Sequence, residues 1–200
     1  MIATVAARAQ AMSRPFILAL DGRSGAGKST LARRLADRLD ASGIGAGVIE
    51  GDDFYAGGTA LRTDPAEIRA GACIDWTRQR PVLADLRAGR ESVWRVFDWD
   101  AFDGRLRDVP VVMPPKPVVI IEGVYAGRPE LADLLDLKVL VQVEDATRRA
   151  RLLAREGGSG PWERQWHEAE DHYFGRIMPP DRFDLILCPN APARGWPSGD

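Results

Sequence analysis

The sequence predicts an α/β domain: a five-stranded, mostly parallel sheet with helices on both faces and a small inserted hairpin. Three observations carry this. Apolar runs of strand length recur at residues 16–20, 46–50, 117–123, 137–143 and 183–187. Stretches with helical spacing lie between several of them, as in Leu31, Leu35 and Leu39. The chain has 200 residues and 45% hydrophobic content, enough for one full core and one domain over 1–200.

In chain order, residues 1–15 hold Arg8 and Arg14 among alanines with no apolar segment of signal-peptide length. They read as a short amphipathic or frayed helix. The first strand then leads into Gly22-Arg23-Ser24-Gly25-Ala26-Gly27-Lys28-Ser29-Thr30, which fits G-x-x-x-x-G-K-S. Strand, glycine loop and helix in that order separate a true phosphate loop from a chance string. Glycines let successive N–H groups point inward, and the helix N-terminus adds partial positive charge. Lys28 would reach the β- and γ-phosphates, and the Ser29 hydroxyl would ligate Mg²⁺. The chain is therefore expected to bind a nucleoside triphosphate, ATP or another, as phosphoryl donor.

The following helix should span 28–41, and the strand over 46–50 should deliver Gly51-Asp52-Asp53-Phe54-Tyr55 to the edge that carries the loop. Residues 56–65 are small and polar. A helix is expected over 81–88, with Pro81 in its first turn and Gly89 closing it. Residues 92–99 alternate like a strand and, with 105–113, suggest the hairpin. Helices are expected over 145–155 and 162–176, broken at Gly157-Gly158-Ser159-Gly160-Pro161, with a Pro/Gly-rich tail over 189–200.

Several residues are placed to do chemistry. Glu122 ends an all-apolar strand and can hold Mg²⁺ beside Ser29. Of Asp52 and Asp53, one can enter the cleft, to accept a proton from an attacking hydroxyl or to join the metal, while its neighbour faces away. Arg148, Arg151 and Arg155 recur at i, i+3, i+7 and suit a lid, about 148–165, that closes over phosphates. Tyr55, Trp76, Trp94, Phe97, Trp99 and Phe102 cluster in the segment 56–113 or beside it, as a stacking wall or as the segment's own core. His167 and His172 lie five apart, off one helix face, and read as surface residues. Cys73 and Cys188 lack metal-ligand spacing, so a reducing, cytoplasmic setting is expected. A net charge of −2 offers no field for nucleic acid or anionic lipid. No apolar run approaches the ~18 residues of a membrane span.

Together these residues resemble the uridine kinase and phosphoribulokinase group of P-loop kinases, and the resemblance implies the P-loop NTPase fold. Asp52-Asp53-Phe54-Tyr55 is similar to that group's Asp-x-Phe-Tyr signature, implying Asp52 as catalytic base and Tyr55 beside the acceptor. Ile74-Asp75 resembles its Phe-Asp pair, which implies that Asp75 holds ribose hydroxyls. Phe97-Asp98-Trp99 resembles its Tyr-Asp-Phe segment over the nucleoside. Ile120-Ile121-Glu122-Gly123 resembles its strand end, and residues 147–155 its lid helix. Residues 179–187 are similar to its closing strand at the adenine edge. The chain departs from the group in its short glycine-rich lid loop, in lacking a base-reading histidine after Trp99, and in Trp76 where uridine kinases have His-Pro.

The reading is an ATP-dependent small-molecule kinase, with Lys28, Arg148 and Arg151 assisting Asp52 and with the loop and Arg155 on the donor. The acceptor is expected to be nucleoside-like, such as uridine or cytidine, bound by residues 56–113. A pantothenate-like, sugar or antibiotic acceptor is the rival, and the oligomeric state stays open. A guanine-nucleotide switch is remote, since N-K-x-D is absent and Asn190 is the chain's single asparagine.

Overall fold

The computed structural model describes residues 1–158 and 160–188; Ser159 and the expected tail over 189–200 lie outside the described residues. Among the described residues there are seven strands: β1 (Phe16–Asp21), β2 (Ala46–Glu50), β3 (Ser92–Trp94), β4 (Val111–Met113), β5 (Val118–Glu122), β6 (Leu137–Val141) and β7 (Leu185–Leu187). The helices are α1 (Ile2–Ala11), α2 (Lys28–Ala41), α3 (Ala66–Ala72), α4 (Trp76–Arg87), α5 (Asp145–Glu156) and α6 (Pro161–His172).

Five strands form one sheet in the order β2-β5-β1-β6-β7. Every pair in it is parallel, so the sheet is more regular than expected. Alternation along β1 explains why its sequence reads as a continuous apolar run. Ile17 and Ala19 face a core with Val119, Ile121, Leu83 and Leu86. Phe16, Leu18 and Leu20 face the opposite core with Val118, Ile120, Leu35 and Leu39. A strand buried on both faces keeps no polar side. Register then builds the functional edge, because Leu20 and Glu50 both pair with Glu122. The carboxyl ends of β1, β2 and β5 therefore finish together.

Some elements differ from expectation. Of the two expectations for the N-terminal segment, the short amphipathic helix holds, and it docks with Val5 and Ala9 buried in the same core as α2. Residues 66–72 form α3, which packs against α6. Helix α4 starts five residues before the expected helix, because Asp75 caps it by accepting from the Thr77 and Arg78 backbone N–H groups. Val82, Leu83 and Leu86 of α4 belong to the main core, as do Trp94 and Phe97, while β3 and β4 pair in a two-stranded sheet of their own. That hairpin is short, extended by one bridge between Phe97 and Leu106. Helix α6 stops at His172 and widens into one turn over Tyr173–Ile177. Both thiols are free, Cys73 buried and Cys188 exposed. No helix among the described residues is long and apolar enough to cross a membrane.

Candidate active site

The phosphate loop begins where β1 ends, on a buried carboxylate. Asp21 accepts from the backbone N–H groups of Gly22 (2.7 Å), Tyr125 (3.1 Å) and Gly127 (2.8 Å) and from the Tyr173 hydroxyl (2.8 Å). Burial raises its pKa to about 6, against the pull of these donors and of Lys28. Gly22 follows at φ 149°, where a Cβ would lie 2.4 Å from the Val141 carbonyl oxygen. Only glycine fits there. Gly27, at φ 92°, opens α2 and leaves that helix's first N–H groups facing the loop.

A cavity of about 300 Å³ lies over the loop, lined on one side by Ser24, Gly25, Gly27, Lys28, Ser29 and Thr30. Asp52, Glu122, Arg151 and Arg155 line the other side. Lys28 is largely buried, and its Nζ spans the loop to the Arg23 carbonyl oxygen at 3.2 Å. Sequence reasoning had gathered these residues from four segments, and the structure brings them to one cavity.

The register of β5 delivers Glu122 to this cavity, buried, with its pKa raised by desolvation and held back by Lys28 and Ser29. Ser29, Glu122 and Asp52 present hard oxygen donors to one space, which is the donor chemistry Mg²⁺ takes. Among the described residues no group of three or more acids, histidines or cysteines gathers tightly enough to hold a metal. A cation at this site would lean on phosphate oxygens, as Mg²⁺ in kinases does.

The tight turn after β2, Gly51–Phe54, separates the two adjacent acids. Asp52 faces the cavity, and its pKa is raised by desolvation and pulled back chiefly by Lys28. Asp53 points the other way, where its Oδ2 accepts from Trp94 Nε1 at 2.8 Å. Burial raises Asp53 to about 6. Of the two neighbours, Asp52 is the one that shares the cavity lining with Lys28.

The predicted arginine row divides. Arg151 and Arg155 line the cavity, and Arg151 Nη1 donates to the Gly25 and Ala26 carbonyl oxygens at 3.3 and 3.4 Å. Arg148 does not line it. It is buried behind the loop, where Nη1 donates to the Ser24 carbonyl oxygen (3.4 Å) and Nε to Asp145 Oδ1 (3.4 Å). Arg148 lies only about 20° around the helix from Arg155 but two turns, ~10 Å, nearer the helix N-terminus, so the row runs along one face from behind the loop to the cavity. Arg23 also departs from expectation, because its guanidinium pairs with Asp171 and sits 5.3 Å from the Phe174 ring centre. Its carbonyl, not its charge, meets Lys28.

One site residue escaped the sequence reading. Glu170 of α6 is fully buried, and its Oε1 accepts from the Ser24 N–H (3.1 Å), from the Ser24 hydroxyl and from Trp166 Nε1 (2.7 Å). Its Oε2 lies 3.9 Å from Arg148 Nη1. Glu170 and Arg148 together tie the loop to the two lid helices. The signal was present: Trp162, Trp166, Ala169, Glu170 and Tyr173 recur at helical spacing, with one acid on an otherwise apolar stripe.

A second cavity, of about 380 Å³, adjoins the first and shares Ser24, Asp52 and Arg155 with it. Its aromatic wall is Trp99 with Trp162 and Trp166. Of the four residues predicted to hold the acceptor beside Asp52, only Trp99 lines it. Tyr55 and Phe97 are buried behind Trp99, with ring centres 4.8 and 4.9 Å from it. The Tyr55 hydroxyl donates to the Gly58 carbonyl oxygen at 2.6 Å, and burial raises its pKa to about 12. Asp75 is engaged as the α4 cap, its Oδ1 also accepting from the Thr77 hydroxyl at 2.6 Å. Trp76 lies outside the aromatic cluster, under the Arg128 guanidinium at 5.9 Å. His167 is half-buried and borders the second cavity; the sequence had put it on the surface.

The family profile described as phosphoribulokinase/uridine kinase matches residues 17–159. The chain belongs to this family. Among curated relatives, the uridine kinase of Limosilactobacillus reuteri is 28% identical over 151 residues, covering 74% of this chain and 67% of its own length. The uridine kinase of Halobacterium salinarum is 30% identical over 149 residues, covering 70% of this chain and 62% of its own length. Among solved structures, one titled a possible uridine kinase from Bacillus stearothermophilus superposes with a TM-score of 0.68 at 22% identity, covering 93% of this chain and 96% of that one. That likeness bears on the fold alone. The phosphoribulokinase/uridine kinase fold is thus the frame on which Lys28, Glu122 and Asp52 are arranged.

Proposed function

We propose that this family member transfers the γ-phosphoryl group of ATP to a hydroxyl of a small, nucleoside-like acceptor, with Asp52 as the general base. One observation carries the reading: Asp52 lines both the phosphate cavity and the tryptophan-walled cavity, so it stands where donor and acceptor would meet. Its side chain is open to solvent, where an acceptor hydroxyl can reach it, and its pKa lies above the ordinary carboxylate value, which favours taking a proton.

Each group then has a task. The loop N–H groups and Lys28 hold the triphosphate and draw charge from the β- and γ-oxygens. Arg151 and Arg155 neutralise charge that develops during transfer. Ser29 and Glu122, with Asp52 beside them, would hold Mg²⁺, which supplies charge neutralisation between the phosphates. Asp52 accepts the acceptor's hydroxyl proton as the oxygen attacks phosphorus. Arg148 and Glu170 act through the loop backbone and are positioning residues. Tyr55 and Phe97 back Trp99, which with Trp162 and Trp166 covers the acceptor and excludes water.

ADP release measured with ATP, Mg²⁺ and a panel of uridine, cytidine, pantothenate and simple sugars tests this. The reading expects at least one acceptor to raise the rate well above slow hydrolysis. A flat panel would weaken it and return the nucleotide switch to contention.

A further inference from the structure

The chemistry lining the second cavity narrows the acceptor more than the fold does. This inference rests on the kinase reading above and concerns the same site. The cavity sets the indoles of Trp99, Trp162 and Trp166 against the carboxylates of Glu50, Asp52 and Glu163. Trp162 and Trp166 stack on each other, 5.9 Å apart and 16° from parallel, so α6 presents a flat aromatic panel. Indole faces carry negative quadrupole and favour C–H faces, planar rings or cations over anions.

The carboxylates add a second constraint. An ionised carboxylate only accepts hydrogen bonds, so these three groups read donors on a ligand. Their combined charge opposes an anion. Glu50 is partly offset by Arg33, whose Nη2 lies 2.9 Å from its Oε1. Glu163 accepts from the Gly160 N–H through Oε2 at 2.7 Å, which fixes its direction at the start of α6. The guanidinium on this wall, Arg155, is shared with the phosphate cavity, where the donor's charge competes for it. His167 completes the lining.

We propose that the cavity selects an acceptor whose ring carries hydroxyl or amino donors and no anionic group, and that Glu163 is a specificity-determining residue for it. An uncharged nucleoside or sugar and an amine-bearing sugar fall within this class. Carboxylate-bearing acceptors fall outside it, which sets aside the pantothenate-like alternative. Neither Glu163 nor the α6 tryptophans lie in the segment expected from sequence to choose the acceptor.

The test compares kcat/KM for uridine, fructose and glucosamine with kcat/KM for D-glycerate and pantothenate, at fixed ATP and Mg²⁺. The best uncharged or amine-bearing compound is expected to exceed every anionic one by about 100-fold or more, the combined effect of like-charge repulsion and unpaired carboxylate acceptors. Glu163→Gln keeps an oxygen for the Gly160 N–H. It should raise KM for the preferred acceptor about tenfold, the scale of one charge-assisted hydrogen bond, with KM for ATP unchanged. It should also narrow the gap to D-glycerate. An anionic compound as best acceptor, or an acceptor KM unmoved by Glu163→Gln, overturns the inference and leaves the kinase reading standing. ADP release raised by no compound overturns both.

Discussion

The donor side and the acceptor side of this site are built by different means. On the donor side, backbone does most of the work within one stretch: β1, the glycines at 22 and 27, and the first turn of α2. On the acceptor side, side chains from three distant segments converge, with Asp52 after β2, Trp99 on the hairpin loop, and Trp162, Glu163 and Trp166 on α6. The first surface recognises what all nucleoside triphosphates share. In the proposed reading the second recognises what distinguishes one acceptor from another. Glu170 joins the two, since one carboxylate oxygen takes donors from the phosphate loop and from the tryptophan wall.

Three substitutions probe this division, beginning with the largest effect. Lys28→Ala removes the cation nearest the transferring group and should lower kcat/KM by a factor on the order of 10²–10³. Circular dichroism should show the fold retained, and a drop of less than tenfold would mean the donor side does not depend on Lys28. Glu170→Ala strikes the join. It leaves the Ser24 N–H without its buried acceptor, at a cost of about 1–3 kcal/mol, and leaves Trp166 Nε1 with the Ser24 hydroxyl alone. Thermal melting should fall, and KM for ATP and for the acceptor should rise together. A rise in only one of them would break the proposed link between the two sides.

Asp53→Asn has the smallest effect and tests which neighbour is the base. Asp53 is raised to about 6 from an ordinary 3.8, so the folded state disfavours its ionised form. Its favourable contribution is present below about pH 4 and is lost as pH rises through about 6. Asn cannot ionise and can still accept from Trp94. The variant should therefore gain stability relative to the parent at pH 7.5 compared with pH 4.5, as read by denaturant unfolding at both values. Equal differences at the two pH values would contradict the assignment, and kcat should stay within about twofold, since no reacting atom touches Asp53.

How much was legible in sequence follows the same division. The glycine loop, the five sheet strands and the helix over 28–41 could be read because local pattern and backbone constraint determine them. Glu122 could be placed because a polar residue ending an apolar strand must emerge at the edge. Asp21 obeys the same logic at the end of β1, but it turned out to be a buried brace, and only tertiary structure shows that three N–H groups and a phenol await it. Spacing places Arg148 on the same face as Arg155 but not how far along that face the cavity reaches, and two turns of helix separate a cavity-lining guanidinium from one buried behind the loop. Asp75 was assigned to the acceptor through resemblance, while here its carboxylate caps α4. The tryptophans of α6 form a helical stripe in the sequence, but the sequence does not show what that stripe faces, because its partners lie some hundred residues away in the chain, as Tyr55 against Trp162 and Trp166 illustrates. Contacts of that separation leave no local periodicity to read.

The central claim is that Asp52 is the base at the junction of the two cavities. Asp52→Asn tests it most directly, with ATP binding and phosphoryl transfer measured on the same preparation across pH. The account predicts ATP affinity within about twofold of the parent and kcat lowered by a factor on the order of 10²–10⁴. It also predicts that the acid limb of the parent's pH profile, lying above the ordinary carboxylate range, disappears in the variant. A variant with near-normal kcat and an unchanged acid limb would remove Asp52 as base and the junction with it.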